Sequence, residues 1–297
     1  MQSDELITFS RRKTLKQLAL AVATLPLAKF THGQDLPLIR IGTTPVFLDQ
    51  QLALIDAWRK FLEVEMQARV VFVQRNNYRE IVELLQTRQL DCAWLCGYPY
   101  VRFKEHLELV SVPVFRGAPL YESYLITPSE DSTTRDFVDL HGKVFAFSDP
   151  LSNSGYLYPR HALWSKNKAP DQFFSRTFFT LSHRKVVEAV AVGLAQAGAV
   201  DGYVWESLAK ANPQLTAKTR VVAKSPRFGF PPLVAPRAIS PQRMLQMRRG
   251  FECMASVPEG QRILAKLNLD GFAPVQESLY NSIANMMQEL QHERLLT

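Results

Sequence analysis

The sequence predicts an α/β protein with mainly parallel, doubly wound sheets arranged in two units. Three observations lead to this fold class. Strand-like and helix-like segments alternate along the chain, a proline- and glycine-rich connection follows the second unit, and 297 residues are enough for two cores. Two α/β units joined by extended crossings predict a cleft between them, and such clefts are favoured ligand sites.

The first thirty-three residues have the pattern of an export signal. Two lysines, Lys13 and Lys16, follow the twin Arg11 and Arg12, and an apolar run of eleven residues extends from Leu18 to Ala28. The run is too short to span a bilayer as a helix, and the charge-then-apolar order is typical of a signal peptide. The twin arginines indicate a twin-arginine signal, although Thr14 replaces its usual aromatic residue. The alternative is an amphipathic first helix of the fold.

The remaining elements are justified by their hydrophobic periodicity. In the first unit, strand patterns alternate with helical spacing at Leu38–Thr43, Gln50–Val64, Arg69–Val73, Tyr78–Arg88 and Cys92–Leu95. In the second unit, the strand Val144–Phe147 precedes the helix Lys185–Ala195 and the strand Val200–Val204. The segment Ser225–Pro241 is predicted to be a connection, and the helices Met244–Ala255, Pro258–Leu267 and Glu277–Leu290 follow it.

Charge and motifs exclude several functional classes. Removing residues 1–33 leaves 30 basic against 26 acidic side chains, so the balance falls from +7 to +4. No basic block interleaved with aromatic residues remains, so we expect no nucleic-acid partner. Cofactors and metals are not expected, because phosphate-loop, dinucleotide and metal-ligand spacings are absent from the sequence. We also expect no stable membrane span once the signal is removed.

The segment Gly142–Pro159 (GKVFAFSDPLSNSGYLYP) is the most informative part of the sequence. A strand leads into a turn, and Ser152, Asn153, Ser154 and Gly155 then precede a helix. Free backbone N–H groups and the dipole at a helix start favour an anion. From spacing alone, an ordinary N-cap explains these residues equally well.

Across residues 38–290 the chain resembles the phosphonate-type periplasmic binding proteins, the soluble receptors of ABC importers for phosphonate, phosphite and related oxyanions. The matching stretches are the Ser-x-Ser-Gly turn with the strand before it, Tyr78 with its helix, Asp91-Cys-Ala-Trp-Leu, Phe179-Thr-Leu-Ser-His183, Ala199-Val-Asp201-Gly and Gly271-Phe-Ala-Pro-Val with Tyr280. The resemblance implies the type II periplasmic binding protein fold, with two lobes and two hinge crossings. Lobe 1 would comprise residues 38–124 plus 226–297, and lobe 2 residues 125–225.

The resemblance also implies a set of ligand-binding residues. Ser152, Asn153, Ser154 and Gly155 would hold a tetrahedral oxyanion, although Asn153 stands where many family members have threonine. His183 would donate a hydrogen bond to an anion oxygen, or would be a structural histidine. The first-lobe residue Tyr78 would reach the ligand with its phenol, or would cap the core at the rim.

Four further candidates are less specific. Tyr98 and Tyr100 follow a strand at the sheet edge where open α/β sheets place ligands. Asp201 would meet the amine of an aminoalkyl phosphonate, or would be structural. Cys96 would contact the ligand, as a cysteine does in related arsenite-sensing proteins, or would be a small buried hydrophobic residue.

The sequence therefore predicts a periplasmic protein that delivers a small oxyanion to an ABC permease by closing its lobes about hinges near Tyr124–Thr127 and Ser225–Phe230. An alternative is an oxyanion sensor that signals to a histidine kinase through Cys96. A remote alternative is an enzyme with Cys96 as nucleophile, but no histidine forms a local signature with this residue, so we expect no enzyme.

Overall fold

Two large β-sheets, each covered by helices, organise the described part of the chain. The structure is a computed structural model that describes residues 36–44 and 52–296. The predicted export signal therefore lies outside the described residues. No helix within these ranges is long and apolar enough to cross a membrane.

The strands are short, and most are followed by a helix. In chain order they are β1 Leu38–Thr43, β2 Arg69–Gln74, β3 Cys92–Trp94, β4 Leu107–Val114, β5 Leu120–Tyr121, β6 Ser123–Pro128, β7 Val144–Phe147, β8 Arg176–Phe179, β9 Ala197–Asp201, β10 Thr219–Lys224, β11 Phe228–Gly229, β12 Leu233–Pro236 and β13 Gly271–Ala273.

The α-helices are α1 Leu52–Met66, α2 Tyr78–Gln86, α3 Gly97–Arg102, α4 Tyr158–Trp164, α5 Pro170–Phe173, α6 His183–Ala191, α7 Gly202–Ala211, α8 Pro213–Thr216, α9 Pro241–Glu252, α10 Pro258–Leu267 and α11 Asn281–Leu296. A π-helical turn, Asn153–Leu157, leads directly into α4. Three 3₁₀ turns complete the described helical segments, at Phe137–Leu140, Cys253–Ser256 and Glu277–Tyr280.

The sheets define two lobes. Lobe 1 is the six-stranded sheet, in the order β13-β4-β12-β3-β1-β2, with helices α1–α3 and α9–α11. Lobe 2 is the five-stranded sheet, in the order β10-β6-β9-β7-β8, with helices α4–α8. The chain passes between the lobes twice, and the crossing strands β5 and β11 pair with each other antiparallel.

Both sheets are mixed, which differs from the mainly parallel expectation. Strands β1, β2 and β3 pair in parallel, as do β7, β8 and β9, but β12 runs antiparallel to both β3 and β4. Strand β12 comes from the segment predicted to be a connection, because its flanking prolines suggested a loop. Strand β6 begins at Ser123, so the expected lobe boundary at residue 124 and the first expected hinge fall on a strand of lobe 2.

Each lobe has aromatic residues in its core. In lobe 1, Trp58 is fully buried and its ring approaches those of Phe72, Trp94 and Phe251. A separate core cluster in lobe 2 is rich in phenylalanine, with Phe137, Phe145, Phe147, Phe173 and Phe174. The packing of these cores holds each sheet in place, and it therefore also positions the loops that follow the strand ends.

Candidate functional site

Within the ranges that the structure describes, five helical segments begin at the facing edges of the two lobes. Strands β2, β3, β7, β8 and β9 each lead into a helical segment, namely α2, α3, the π-helical turn, α6 and α7. Because the carboxyl ends of parallel strands share one edge of a sheet, the helices that follow them begin at that edge. The positive ends of several helix dipoles therefore point toward the space between the lobes.

The Ser152–Gly155 segment is fully buried and closely packed against the sheet. Ser152 is the N-cap of the π-helical turn, and its Oγ accepts a hydrogen bond from Gly155 N at 2.9 Å. A Cβ atom on Gly155 would lie 1.9 Å from Ser148 Oγ and 3.2 Å from Ala199 O, so only glycine allows this approach. The carbonyl of Ser154 accepts from Ser123 Oγ at 2.7 Å.

Three buried polar atoms near this turn have no hydrogen-bond partner among the described residues. They are Ser148 Oγ, Asn153 Oδ1 and Ser154 Oγ. Leaving a buried polar group unpaired costs about 1–3 kcal/mol. A cluster of such groups at a helix start therefore has the chemistry of an incomplete binding site.

A contact between the lobes lies beside the same turn. The Asn153 N–H of lobe 2 donates to Cys96 Sγ of lobe 1 over 3.2 Å, and Asn153 Nδ2 donates to the Tyr121 hydroxyl over 3.0 Å. Cys96 is also the N-cap residue of α3 and is 1% exposed. Burial raises the pKa of its thiol, so the sulfur keeps its proton.

His183 and Asp201 form the second part of the site. Asp201 N donates to His183 Nδ1 over 3.0 Å, which leaves Nε2 as the protonated ring nitrogen. His183 Nε2 lies 3.5 Å from Ser152 Oγ. Burial lowers the pKa of His183 to about 3, so the imidazole is neutral and donates from Nε2.

Asp201 has a structural role that the sequence left open. It is the N-cap of α7, and its Oδ1 accepts from Tyr203 N at 2.9 Å and from Val204 N at 3.3 Å. Burial raises its pKa to about 7, since an ionised carboxylate loses hydration there.

A cavity of about 20 Å³ brings three predicted residues together, namely Tyr78, His183 and Asp201. Its other described lining residues are Thr44, Trp94, Leu95, Tyr203, Val204, Phe230 and Pro231. The Tyr78 hydroxyl interacts with the Thr44 side chain, and burial raises the pKa of Tyr78. The walls combine hydrogen-bonding side chains with aromatic surface and contain no lysine or arginine among the described residues.

Two of the predicted tyrosines lie elsewhere. Tyr98 lines a separate groove of about 210 Å³ with Arg102, Arg160 and residues of α11. Tyr100 packs edge-to-face against Tyr280, with ring centroids 5.1 Å apart. The structure therefore does not bring either side chain into the cavity that Tyr78 and His183 share.

Sequence reasoning missed several residues of the site. Tyr121, on the crossing strand β5, contacts both Cys96 and Asn153, and Thr44 follows β1. Neither belongs to a recognisable local motif, so only the fold identifies them. Among the described ranges, no group of three or more histidine, cysteine, aspartate or glutamate side chains is arranged to hold a metal ion.

The structure also shows the oxidation state and the burial of the three cysteines. Cys92, Cys96 and Cys253 are free thiols, and Cys92 is buried in lobe 1. Cys253 is half-buried, and its Sγ lies 3.5 Å from Glu65 Oε2.

Comparison with known proteins identifies a family. A family model described as the periplasmic substrate-binding protein of phosphonate ABC transporters matches residues 41–280. The phosphate-import protein PhnD of Mycolicibacterium smegmatis is 26% identical over 217 residues, which are 69% of this chain and 68% of that protein. The phosphonates-binding periplasmic protein of Escherichia coli is 26% identical over 243 residues, which are 77% of this chain and 70% of that protein.

A solved structure shares the fold. The binding protein component of an ABC phosphonate transporter from Pseudomonas aeruginosa superimposes with a TM-score of 0.79 at 24% identity. The match covers 86% of this chain and 87% of that chain. The two-lobed arrangement is therefore the type II periplasmic binding protein fold that the sequence predicted.

Proposed function

The chain belongs to the family of phosphonate periplasmic substrate-binding proteins of ABC transporters, and we propose that it holds a small phosphorus oxyanion at the start of the Asn153–Leu157 turn. As a family member it works in the periplasm with a small-molecule ligand and a permease. The anion, its contacts and the route of export are the parts that we propose.

The three buried, unpaired polar atoms beside the turn carry this proposal. Asn153 Oδ1 and Ser154 Oγ lie on the turn itself, and Ser148 Oγ lies on the strand end below it. A hydroxyl group donates to an anion oxygen, and a side-chain amide either donates or accepts after reorientation. A tetrahedral oxyanion supplies several acceptor atoms to these groups and also benefits from the helix dipole.

Four other predicted residues support the anion in different ways. Ser152 holds the turn by accepting from Gly155 N, and neutral His183 offers an Nε2–H donor beside Ser152 Oγ. Tyr78 contributes a protonated phenol from lobe 1. Asp201 orients His183 through its own N–H and lines the same cavity, so we include its carboxyl group among the ligand contacts.

Import is better supported than sensing. The matched family consists of transporter components, and the buried Cys96 thiol is protonated and already accepts from Asn153 N. We therefore propose that Cys96 adjoins the anion as a packing group and not as a covalent ligand or nucleophile.

Isothermal titration calorimetry with methylphosphonate, phosphite, phosphate and methanesulfonate tests the proposal. We expect binding of at least one phosphorus anion, and a loss of about tenfold in affinity for each of Ser152→Ala and Ser154→Ala. Ser240→Ala is the matched control, because Ser240 also caps a helix, but on lobe 1 away from the cleft. Equal affinities for all three variants and the wild type would contradict the proposed site.

We also propose that residues 1–33 direct export by the twin-arginine route, on the basis of Arg11, Arg12 and the apolar run that follows them. N-terminal sequencing of the protein recovered from periplasm checks this. A mature chain beginning near residue 34, lost when both arginines become lysine, is the expected result.

A further inference from the structure

A second contact between the lobes involves a carboxylate that no motif assigned to the site. Asp149 follows β7 in lobe 2 and is 4% exposed. Its Oδ1 accepts from Leu151 N at 2.7 Å, and its main-chain carbonyl accepts from Ser152 N at 2.8 Å. The first bond holds the carboxylate, and the second holds the main chain that carries it, just before the Ser152–Gly155 segment.

The other carboxylate oxygen reaches across the cleft. Asp149 Oδ2 accepts from Tyr78 N at 3.2 Å, and Tyr78 is the first residue of α2 in lobe 1. Asn77 caps this helix by accepting from Glu80 N. The Tyr78 N–H group is one of the donors that a helix start leaves unpaired, and it lies at the positive end of the dipole. A negative charge from lobe 2 therefore meets a helix start of lobe 1.

The surroundings of Asp149 have mixed electrostatic effects. Burial raises the pKa of this carboxyl group, while the hydrogen bonds from Leu151 and Tyr78 and the charge of Arg79 act in the opposite direction. Arg79 is the exposed neighbour of Tyr78 on α2. The contact thus consists of a buried carboxylate, a helix start and one nearby cation.

The contact lies away from the hinge. Asp149 lines an open groove of about 460 Å³ together with Pro150, Leu151 and Leu181 of lobe 2 and residues of α2 and α3. None of the described residues that line this groove belongs to the crossing strands β5 and β11. Rotation about the crossings separates such a contact further than the Cys96–Asn153 contact, which adjoins Tyr121 of β5.

We propose that Asp149 is a positioning residue that holds the closed form of the binding cleft by clasping the N-terminus of α2. This inference rests on the proposed function, because the closed lobes are what retain the anion. Tyr78 connects the two, because its N–H binds Asp149 while its side chain lines the cavity. The clasp opposes opening of the cleft, so its loss should act chiefly on ligand release.

Asp149→Asn is the sharpest variant. In this variant the asparagine oxygen keeps the hydrogen bond from Leu151 N. The asparagine NH₂ group then faces the Tyr78 N–H, and because both groups are donors, the hydrogen bond between the lobes is lost. We expect the dissociation rate of methylphosphonate or phosphite in stopped-flow measurements to rise about tenfold, with an association rate unchanged within about twofold. Asp139→Asn is the matched control, since Asp139 accepts two backbone N–H groups within lobe 2 only.

Arg79→Gln provides a milder test, because its side chain is exposed and tolerates exchange. We expect its dissociation rate to rise about twofold to threefold, and the double variant with Asp149→Asn to add little more. Dissociation rates equal to the wild type in both single variants would overturn the clasp, as would an equal rise in Asp139→Asn.

Should the wild type bind none of the probes, the proposed anion site fails and the clasp is judged separately. Amide hydrogen exchange of the ligand-free protein then compares the peptide that contains Tyr78 in the wild type and in Asp149→Asn. Faster exchange in the variant supports the clasp, and identical exchange overturns it.

Discussion

Gly155 shows how a single residue positions the proposed anion site. The turn lies so close to the sheet that an added Cβ would fall 2.7 Å from Ser148 Cβ as well as against its hydroxyl. Ser148 N also donates to Gly155 O over 3.3 Å, so the strand end and the turn are held together at this point. The absence of a side chain is what allows the turn to lie this close to the sheet.

Gly155→Ala should therefore displace the turn from the sheet. We expect the free energy of unfolding in urea to fall by about 1–3 kcal/mol, the usual cost of overpacking, and anion affinity to fall with it. Adding Ser148→Gly removes the nearest atoms and should recover part of the lost stability. A Gly155→Ala protein as stable as the wild type would show that the close approach is not needed.

Asp201 gives a prediction for pH dependence. Burial raises its pKa to about 7, whereas the ordinary aspartate value is 3.8. Between these values the folded state binds a proton that the unfolded state does not, so stability falls as pH rises from about 4 to 7. Asp201→Asn cannot titrate but still caps α7, so it should lack this fall.

The measurement is the free energy of unfolding of both proteins at pH 5 and pH 7.5. The advantage of the wild type over Asp201→Asn should shrink with increasing pH, by at most about 1.4 kcal/mol per pH unit. The opposite contribution of His183 is common to both proteins and cancels in the difference. A constant difference between the two proteins would contradict the raised pKa.

At the scale of elements, helix α7 joins the two lobes. It begins at the Asp201 cap in lobe 2, and its Tyr203 hydroxyl donates to Leu267 O at the end of α10 in lobe 1, over 2.6 Å. One turn further along α7, Ser207 Oγ accepts a hydrogen bond from Asn268 Nδ2 over 3.0 Å. Asn268 ends α10 in a left-handed conformation, which asparagine and glycine adopt more readily than other residues.

Asn268→Gly keeps that conformation and removes the side-chain contacts with α7. We expect the free energy of unfolding to fall by about 1 kcal/mol, the net value of a typical hydrogen bond, with unchanged helix content in circular dichroism. Ser207→Ala removes the same bond from the other side, and the effects should not add. Additive losses would indicate that the two side chains act independently.

At the scale of the whole molecule, closure buries Cys96 between the lobes. The thiol is 1% exposed and touches Asn153 of lobe 2, whereas Cys92 is enclosed by lobe 1 and Cys253 is half-buried. The accessibility of Cys96 therefore reports on the distance between the lobes.

In a Cys253→Ser background, we expect a saturating phosphorus anion to slow the alkylation of Cys96 by iodoacetamide at least about fivefold, because closure removes the thiol from solvent. Mass spectrometry of the labelled peptides separates Cys96 from Cys92. The rate at Cys92 serves as the internal control and should not change. Equal rates of Cys96 alkylation with and without the anion would show that binding does not close the lobes around Cys96.

The local sequence determined those parts of the protein that depend on near neighbours. The strand Val144–Phe147, the helix Pro258–Leu267 and the helix start at Tyr78 were predicted with the bounds that the structure has, because hydrophobic periodicity and proline positions are local signals. The Ser152–Gly155 turn was likewise visible as a cluster of capping residues after a strand. The family resemblance supplied the two-lobed fold around them.

Only the tertiary structure decided which distant residues meet in the cleft. The antiparallel strand β12 enters the centre of the first sheet from a proline-rich segment, and the Asp149–Tyr78 contact joins residues 71 positions apart. Tyr121 contacts Cys96 and Asn153 from a crossing strand of two residues. Such contacts depend on how the chain passes twice between the two sheets, and local hydrophobic periodicity does not predict that topology.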